Sequence, residues 1–254
     1  MNDKRVHRQG CPRARQRGYS MIELSVALVV ALFLMSGMFR IMQNTRKTST
    51  NQTALAQLQD EERVAMTMIT DVIQQSGYYP NPQTNDPTTV FGTDGTFGTA
   101  GQSIAGGTNG NGDTITVRYQ GDPSNSVIDC LGNSIPNNTT EEMQFSVQAG
   151  LNNNGALELF CAINGNTVPL VPNVHSISIL YGIDANSSGS TNTYLPAASM
   201  ATFWTDVHSV QITVQFVNPL YGQPGQTNPT NQYISFTRVI GVMAQTGVNS
   251  LTLY

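Results

Sequence analysis

The chain has 254 residues, of which 11% are charged, and a formal net charge of −4 at pH 7. That length suits one good-sized domain or two small ones. After residue 80, Asn, Thr, Ser, Gly and Gln dominate, a palette of β-rich, loop-rich exported domains more than of cytosolic enzymes.

The basic charge is crowded at one end. Lys4, Arg5, Arg8, Arg13, Arg15 and Arg17 are six of the twelve Lys and Arg residues, and all precede Tyr19. Residues 19–254 then hold six basic and fifteen acidic residues, a net −9. A domain that acidic has no general attraction for nucleic acid. The basic stretch reads as a positive-inside retention signal ahead of a DNA-binding arm.

Residues 1–18 form a polar, basic leader in which Gly10 and Pro12 break any helix. Tyr19 to Phe39 is almost wholly apolar, about 21 residues or roughly 31 Å as a helix. A transmembrane segment is predicted over residues 19–41. Between Met21 and Met42 the charges are Glu23 and Arg40 alone. A carboxylate at membrane depth is costly, so Glu23 is a functional candidate by default.

The helical pattern runs on, with no proline between Pro12 and Pro80. Leu55, Leu58, Ala65, Ile69, Val72 and Ile73 recur near helical spacing, with Glu62 interrupting the stripe. Gly77 and Pro80 in "QQSGYYP" are stop signals. One helix is predicted over residues 19–76, membrane-like in its first half and amphipathic in its second.

Residues 80–113 read as a long irregular loop. Alternating segments follow. Ile115, Val117 and Tyr119 form one, Phe145 and Val147 another, then Leu157, Leu159 and Cys161, then Ile177, Ile179 and Tyr181. Val210, Ile212, Val214 and Phe216 make the clearest, and "YISFTRVIGV" is the last. Period-two strands between turn residues predict an antiparallel sheet with one buried face. The amphipathic half of the helix is its natural cover. The expected fold class is α+β, with a globular β-rich domain over residues 77–254.

Cys11 lies in the leader, leaving Cys130 and Cys161 as a pair in a chain that reads as exported. A disulfide is the default, with two buried free thiols as the alternative. No CxxC or paired His points to a metal there. His175 and His208 lie in strand patterns and read as packed or surface residues. "DANSSGSTN" at 184–192 reads as a turn, with Asp184 and Asn186 as weak calcium-ligand candidates. Trp204, the single tryptophan, reads as a packing residue. No Ser-His-Asp signature, Walker loop or zinc motif is present. No catalytic residue, metal ligand or cofactor is therefore assigned, and an enzyme has no residue to stand on.

A basic leader, Gly18, an aromatic residue, then "SMIEL" and an apolar helix resembles the type IV prepilin signature, although Tyr19 stands where Phe or Met is more usual. The stretches "ALAQLQDEERVAMTMITDVIQQSGYY", "VPLVPNVHSISILYGIDANSSGSTNTYLPAASM" and "WTDVHSVQITVQF" resemble the PilW family of minor pilins. The resemblance covers most of the chain outside residues 80–110 and 218–232. It implies a pilin-like fold, cleavage by a prepilin peptidase between Gly18 and Tyr19, and N-methylation of Tyr19. It implies that Glu23 pairs with the N-terminal amine of an adjacent subunit during assembly.

It further implies other minor pilins, the major pilin and an inner-membrane assembly platform as partners. The protein would span the inner membrane once before assembly and stand in the pilus, at its tip, afterwards. There it would prime assembly and serve adhesion, twitching motility or DNA uptake indirectly. A minor pseudopilin of a type II secretion system shares the leader and helix. A pilin that itself grips DNA or a surface receptor is the alternative of another class. An ordinary secretory signal would need a small-residue cleavage site after the apolar run, and Ser36-Gly37 is a poor one. A plain signal anchor accounts for neither Gly18 nor Glu23.

Overall fold

The computed structural model describes residues 18–124, 126–150, 155–186, 188–223 and 231–246. Nearly all of the basic leader, Cys11 included, lies outside these residues. The chain divides into two compact units between Gln52 and Thr53, although one helix, α1 (Met21–Gln74), runs through both.

In the second unit, α1 buries Leu58, Ala65, Met66, Ile69, Val72 and Ile73. The predicted stripe is there, with Met66 added and Leu55 only half-buried. Its spacing is helical, and propensity favours it, since neither Gly nor Pro falls within residues 38–76. The helix stops at Gln74, and Gly77 takes φ +77° just beyond, a left-handed backbone that glycine adopts without steric cost.

Nine strands follow among the described residues: β1 (Ile104–Asn109), β2 (Gly112–Gln120), β3 (Thr140–Ala149), β4 (Leu157–Ile163), β5 (Asn166–Val171), β6 (Val174–Ile183), β7 (Thr193–Pro196), β8 (Val207–Val217) and β9 (Tyr233–Gly241). A single helical turn, α2 (Pro87–Val90), precedes them, and another, α3 (Met243–Thr246), ends the described chain.

The main path runs β5-β4-β3-β2-β6-β8-β9, with β1 added to β2 and β7 to β6. The predicted alternation holds in register. Ile115, Val117, Phe145, Val147, Ile177, Ile179, Val210 and Ile212 are all essentially inaccessible and share one core with the α1 stripe.

The sheet is mixed rather than antiparallel throughout. Two antiparallel groups, β1–β5 and β6–β9, meet where Gly112 pairs in parallel with Ile177. Gly112 has φ +138°, and a Cβ there would stand 2.5 Å from the Ile177 carbonyl oxygen. Only a residue without a side chain allows the two groups to join so closely. Asp113 reinforces the seam by accepting the Ile179 N–H at 2.7 Å.

Part of the expected 80–113 loop is strand. Residues Ile104–Asn109 pair with Gly112–Val117 as a hairpin. "IAGGTN" shows no alternation, because neighbouring backbone rather than its own side chains makes it a strand. The "NGNG" at 109–112 was its local signal. Strand β5 also escaped the periodic reading, since it contains Pro169. It is an edge strand, and Pro169 faces Phe160 beside an irregularity in register, where a missing N–H is tolerated.

The stretch between α2 and β1 covers the other face of β2. There Arg118 is 3% exposed. Its guanidinium donates to Gly92 O at 2.7 Å, Gln102 O at 2.8 Å and Asp94 Oδ2 at 2.9 Å. Its Cζ lies 4.1 Å from the Phe97 ring centroid, in cation–π contact. The Arg118 carbonyl accepts the Gly77 N–H at 3.0 Å, so the same residue holds the exit of α1.

Cys130 and Cys161 form a disulfide across 31 residues, with Cα atoms 6.6 Å apart. It ties the β2–β3 connection to the interior of β4, and both residues are buried. On the chain-entropy account a loop of this size contributes about 3–4 kcal/mol. We expect Cys130→Ser/Cys161→Ser to lower the unfolding free energy by that amount in urea titration. We also expect dithiothreitol to lower the wild type to the level of the variant.

Candidate functional site

The candidate site is the start of α1. The Ser20 carbonyl accepts the Glu23 and Leu24 N–H groups at 3.0 and 3.2 Å, which opens the helix. Glu23 stands in the first turn, where a carboxylate meets the positive end of the helix dipole. Gly18, Tyr19 and Ser20 precede the helix in non-helical backbone, and Tyr19 is 86% exposed. Gly18 therefore sits on accessible, irregular chain four residues before a helix interior begins.

Every residue from Gly18 to Arg46 is exposed. Ile22, Leu24, Leu28, Val29, Phe33 and Phe39 are among the large apolar side chains left uncovered. One helix in the described chain is long and apolar enough to cross a membrane, and this is its apolar part. The hydroxyls within it are already satisfied. Ser25 donates to Ile22 O at 2.9 Å and Ser36 to Phe33 O at 2.8 Å, as a helix in a medium without water requires. Glu23 has no such internal partner in its own turn, and it is the single charged side chain between Arg17 and Arg40.

Residues 13–39 match the prokaryotic N-terminal methylation motif. Residues 144–245, from β3 to the last described turn, match the model of the type IV pilus-assembly protein W family, PilW. Together the two matches support a type IV pilin of the PilW type. No curated protein matches it. Among solved structures, a type IV-like pilin from Thermus thermophilus is similar at 13% identity and a TM-score of 0.41, over 74% of this chain and 96% of its own. The family assignment draws on the two family matches alone.

The matched regions include Gly18, Tyr19 and Glu23 in one motif and most of β3 through α3 in the other. The family and the motif are those of a type IV pilin, anchored by an apolar N-terminal helix before it assembles with other pilins. The β1–β2 hairpin and the Arg118 anchor fall outside both matches.

Other residues singled out in the sequence have ordinary structural places. Asp184 accepts the Ser188 and Gly189 N–H groups and the Asn192 side chain, so its oxygens close a turn. His175 stacks on Tyr233 with ring centroids 3.7 Å apart. Trp204 packs edge-to-face on Tyr181 at 4.9 Å.

The pairing of Arg118 with Asp94 had no sequence signal, since 24 residues separate them. Burial pulls the Arg118 pKa down and Asp94 restores part of it. Burial opposes ionisation of Asp94, yet the Phe97 and Thr96 N–H groups and the Arg118 charge outweigh it and hold its carboxyl below the ordinary value. Glu142 goes the other way: burial raises its pKa, the neighbouring Asp94 adds to this, and Arg118 opposes it.

Folding therefore favours the protonated form of Glu142. That contribution is complete below the ordinary glutamate value of about 4.3 and fades as pH rises through the raised one. We expect Glu142→Gln, neutral at every pH, to melt above the wild type near about pH 7 and level with it near about pH 4. Circular dichroism melts across that range measure the gap.

Proposed function

We propose that this PilW-family protein is a minor pilin that primes type IV pilus assembly within a minor-pilin complex. Residues 1–18 act as the leader, residues 19–76 as the membrane and assembly helix, and residues 77–254 as the globular domain. The prepilin peptidase cuts between Gly18 and Tyr19 and methylates the new Tyr19 amine. Its role is structural rather than catalytic. It waits in the inner membrane and, after assembly with other minor pilins and the major pilin, stands at the pilus tip.

Glu23 is the observation that carries this reading. It is a first-turn carboxylate on a helix whose apolar side chains have no cover within the chain. After cleavage, Tyr19 offers a cationic amine four residues before Glu23 in its own chain. An unpaired charge at that depth is costly, whereas a pair between neighbours sets their register. The amine of an adjacent subunit would neutralise Glu23 as the helix leaves lipid for the bundle of pilin helices. The match to a pilus-assembly family favours a pilus over a secretion pseudopilus.

Intact mass and N-terminal sequencing of the protein from native membranes test the processing step. We expect a start at Tyr19 carrying one added methyl group, and we expect Gly18→Val to retain the leader. A mature start beyond residue 35, or an untouched Met1, would sink the assignment. Glu23→Ala is expected to be cleaved normally and to be lost from sheared filaments. Its incorporation at wild-type level would remove Glu23 from assembly.

A further inference from the structure

A second feature lies in the globular unit. A cleft of about 360 Å³ opens between the 96–102 stretch, β1 and the turn before β8. Thr96, Thr99, Gln102, Gly106, Ala201 and Trp204 line it. That volume is at the lower end of the roughly 300–1,000 Å³ of small-molecule sites.

Its walls are held from behind. Gln102 is buried, donates to Ile104 O at 2.8 Å and accepts the Thr99 N–H at 3.2 Å. Gly106 forms the floor, and a Cβ there would overlap the Tyr181 hydroxyl and the Trp204 ring. Ala201 takes φ +44°, a left-handed conformation strained for alanine, at the rim. Trp204, half-buried, is kept in place by Tyr181.

Two chemical properties of the lining narrow the ligand. First, no ionisable side chain lines the cleft. Two carboxylates lie two residues from a lining position: Asp94 is engaged by Arg118 and by the Thr96 and Phe97 N–H groups, and Asp206, at the end of the turn that holds Trp204, is not part of the lining. A charged ligand would find no counter-charge. Second, the Thr96 and Thr99 hydroxyls and the Trp204 indole N–H have no partner among the described residues. No buried side-chain N or O atom among the described residues lacks a partner, so these groups are open to solvent in the cleft. An apolar ligand would strand these groups without water.

We propose that the cleft binds a neutral carbohydrate, one or two pyranose rings of a glycan. A sugar ring offers an apolar C–H face to an indole and hydroxyls that both donate and accept. Trp204 supplies the apolar wall and one donor. Thr96 and Thr99 supply hydroxyls that match either role. A glycan at this position would make the globular domain a surface-recognition module, independently of how the helix assembles.

The chain has one tryptophan, so indole emission reports on this cleft alone. The full chain, in a detergent without a sugar headgroup, is screened on an array of neutral glycans and titrated with the retained ones. N-acetylglucosamine and triacetylchitotriose serve as soluble probes alongside them. We expect a saturable change in Trp204 emission. Thr96→Val/Thr99→Val should weaken affinity roughly tenfold, two hydrogen bonds' worth, with an unchanged melting temperature. Trp204→Phe should abolish retention on the array. Failure to retain any neutral glycan overturns the proposal, as does a non-saturable emission change. Full affinity in the threonine variant, or retention confined to anionic sugars, overturns it equally.

Discussion

The burial of one helical stripe against one sheet face organises the globular part of this protein. Leu58, Ala65, Met66, Ile69, Val72 and Ile73 of α1 share a core with the inward residues of β2, β3, β4, β6 and β8. Neither surface is stable alone, since a sheet with one apolar face needs a second layer. Ahead of Gln52 the same helix has no second layer among the described residues, and its apolar side chains stand uncovered. One continuous element is thus matched to protein in one half and left for lipid or other helices in the other. Glu23 is the single charge between Arg17 and Arg40, and it stands in the first turn of the helix.

With so few charges, the sheet depends on backbone approach and on one cation. The Gly112–Ile177 seam joins two antiparallel groups without a side chain between them. Arg118 gathers the polar covering stretch by binding two carbonyls and a carboxylate from one buried position. Removing one partner from such an arrangement leaves a desolvated charge, which is far more damaging than the pair is stabilising. The disulfide does for the β2–β3 connection what Arg118 does for the 91–102 stretch. Loops that bury little apolar surface are held by a few strong ties.

These ties have a consequence for recognition. Loops rich in Thr, Gly and Asn present many hydroxyls and amides but few charges, and once fixed they can hold a polar, neutral surface open. The cleft beside Trp204 is such a surface, with Gln102 and Tyr181 keeping its walls apart. On the proposed readings, assembly and recognition would be carried by separate parts of the chain.

Much of this was legible in the chain before any coordinates. The apolar run, the isolated Glu23, the amphipathic stripe, the six alternating strands β2, β3, β4, β6, β8 and β9, and the Cys130–Cys161 pair follow from local rules. Hydrophobic period, charge placement and cysteine arithmetic each act within a few residues, or depend only on composition. Tertiary structure alone decided the rest. Strands β1 and β5 have sequences that do not alternate, and became strands because a neighbouring edge offered hydrogen bonds. The parallel seam at Gly112, the burial of Arg118 against Asp94 and the cleft beside Trp204 join residues distant in sequence. Their partners are chosen by the path of the chain, and no local pattern encodes that choice.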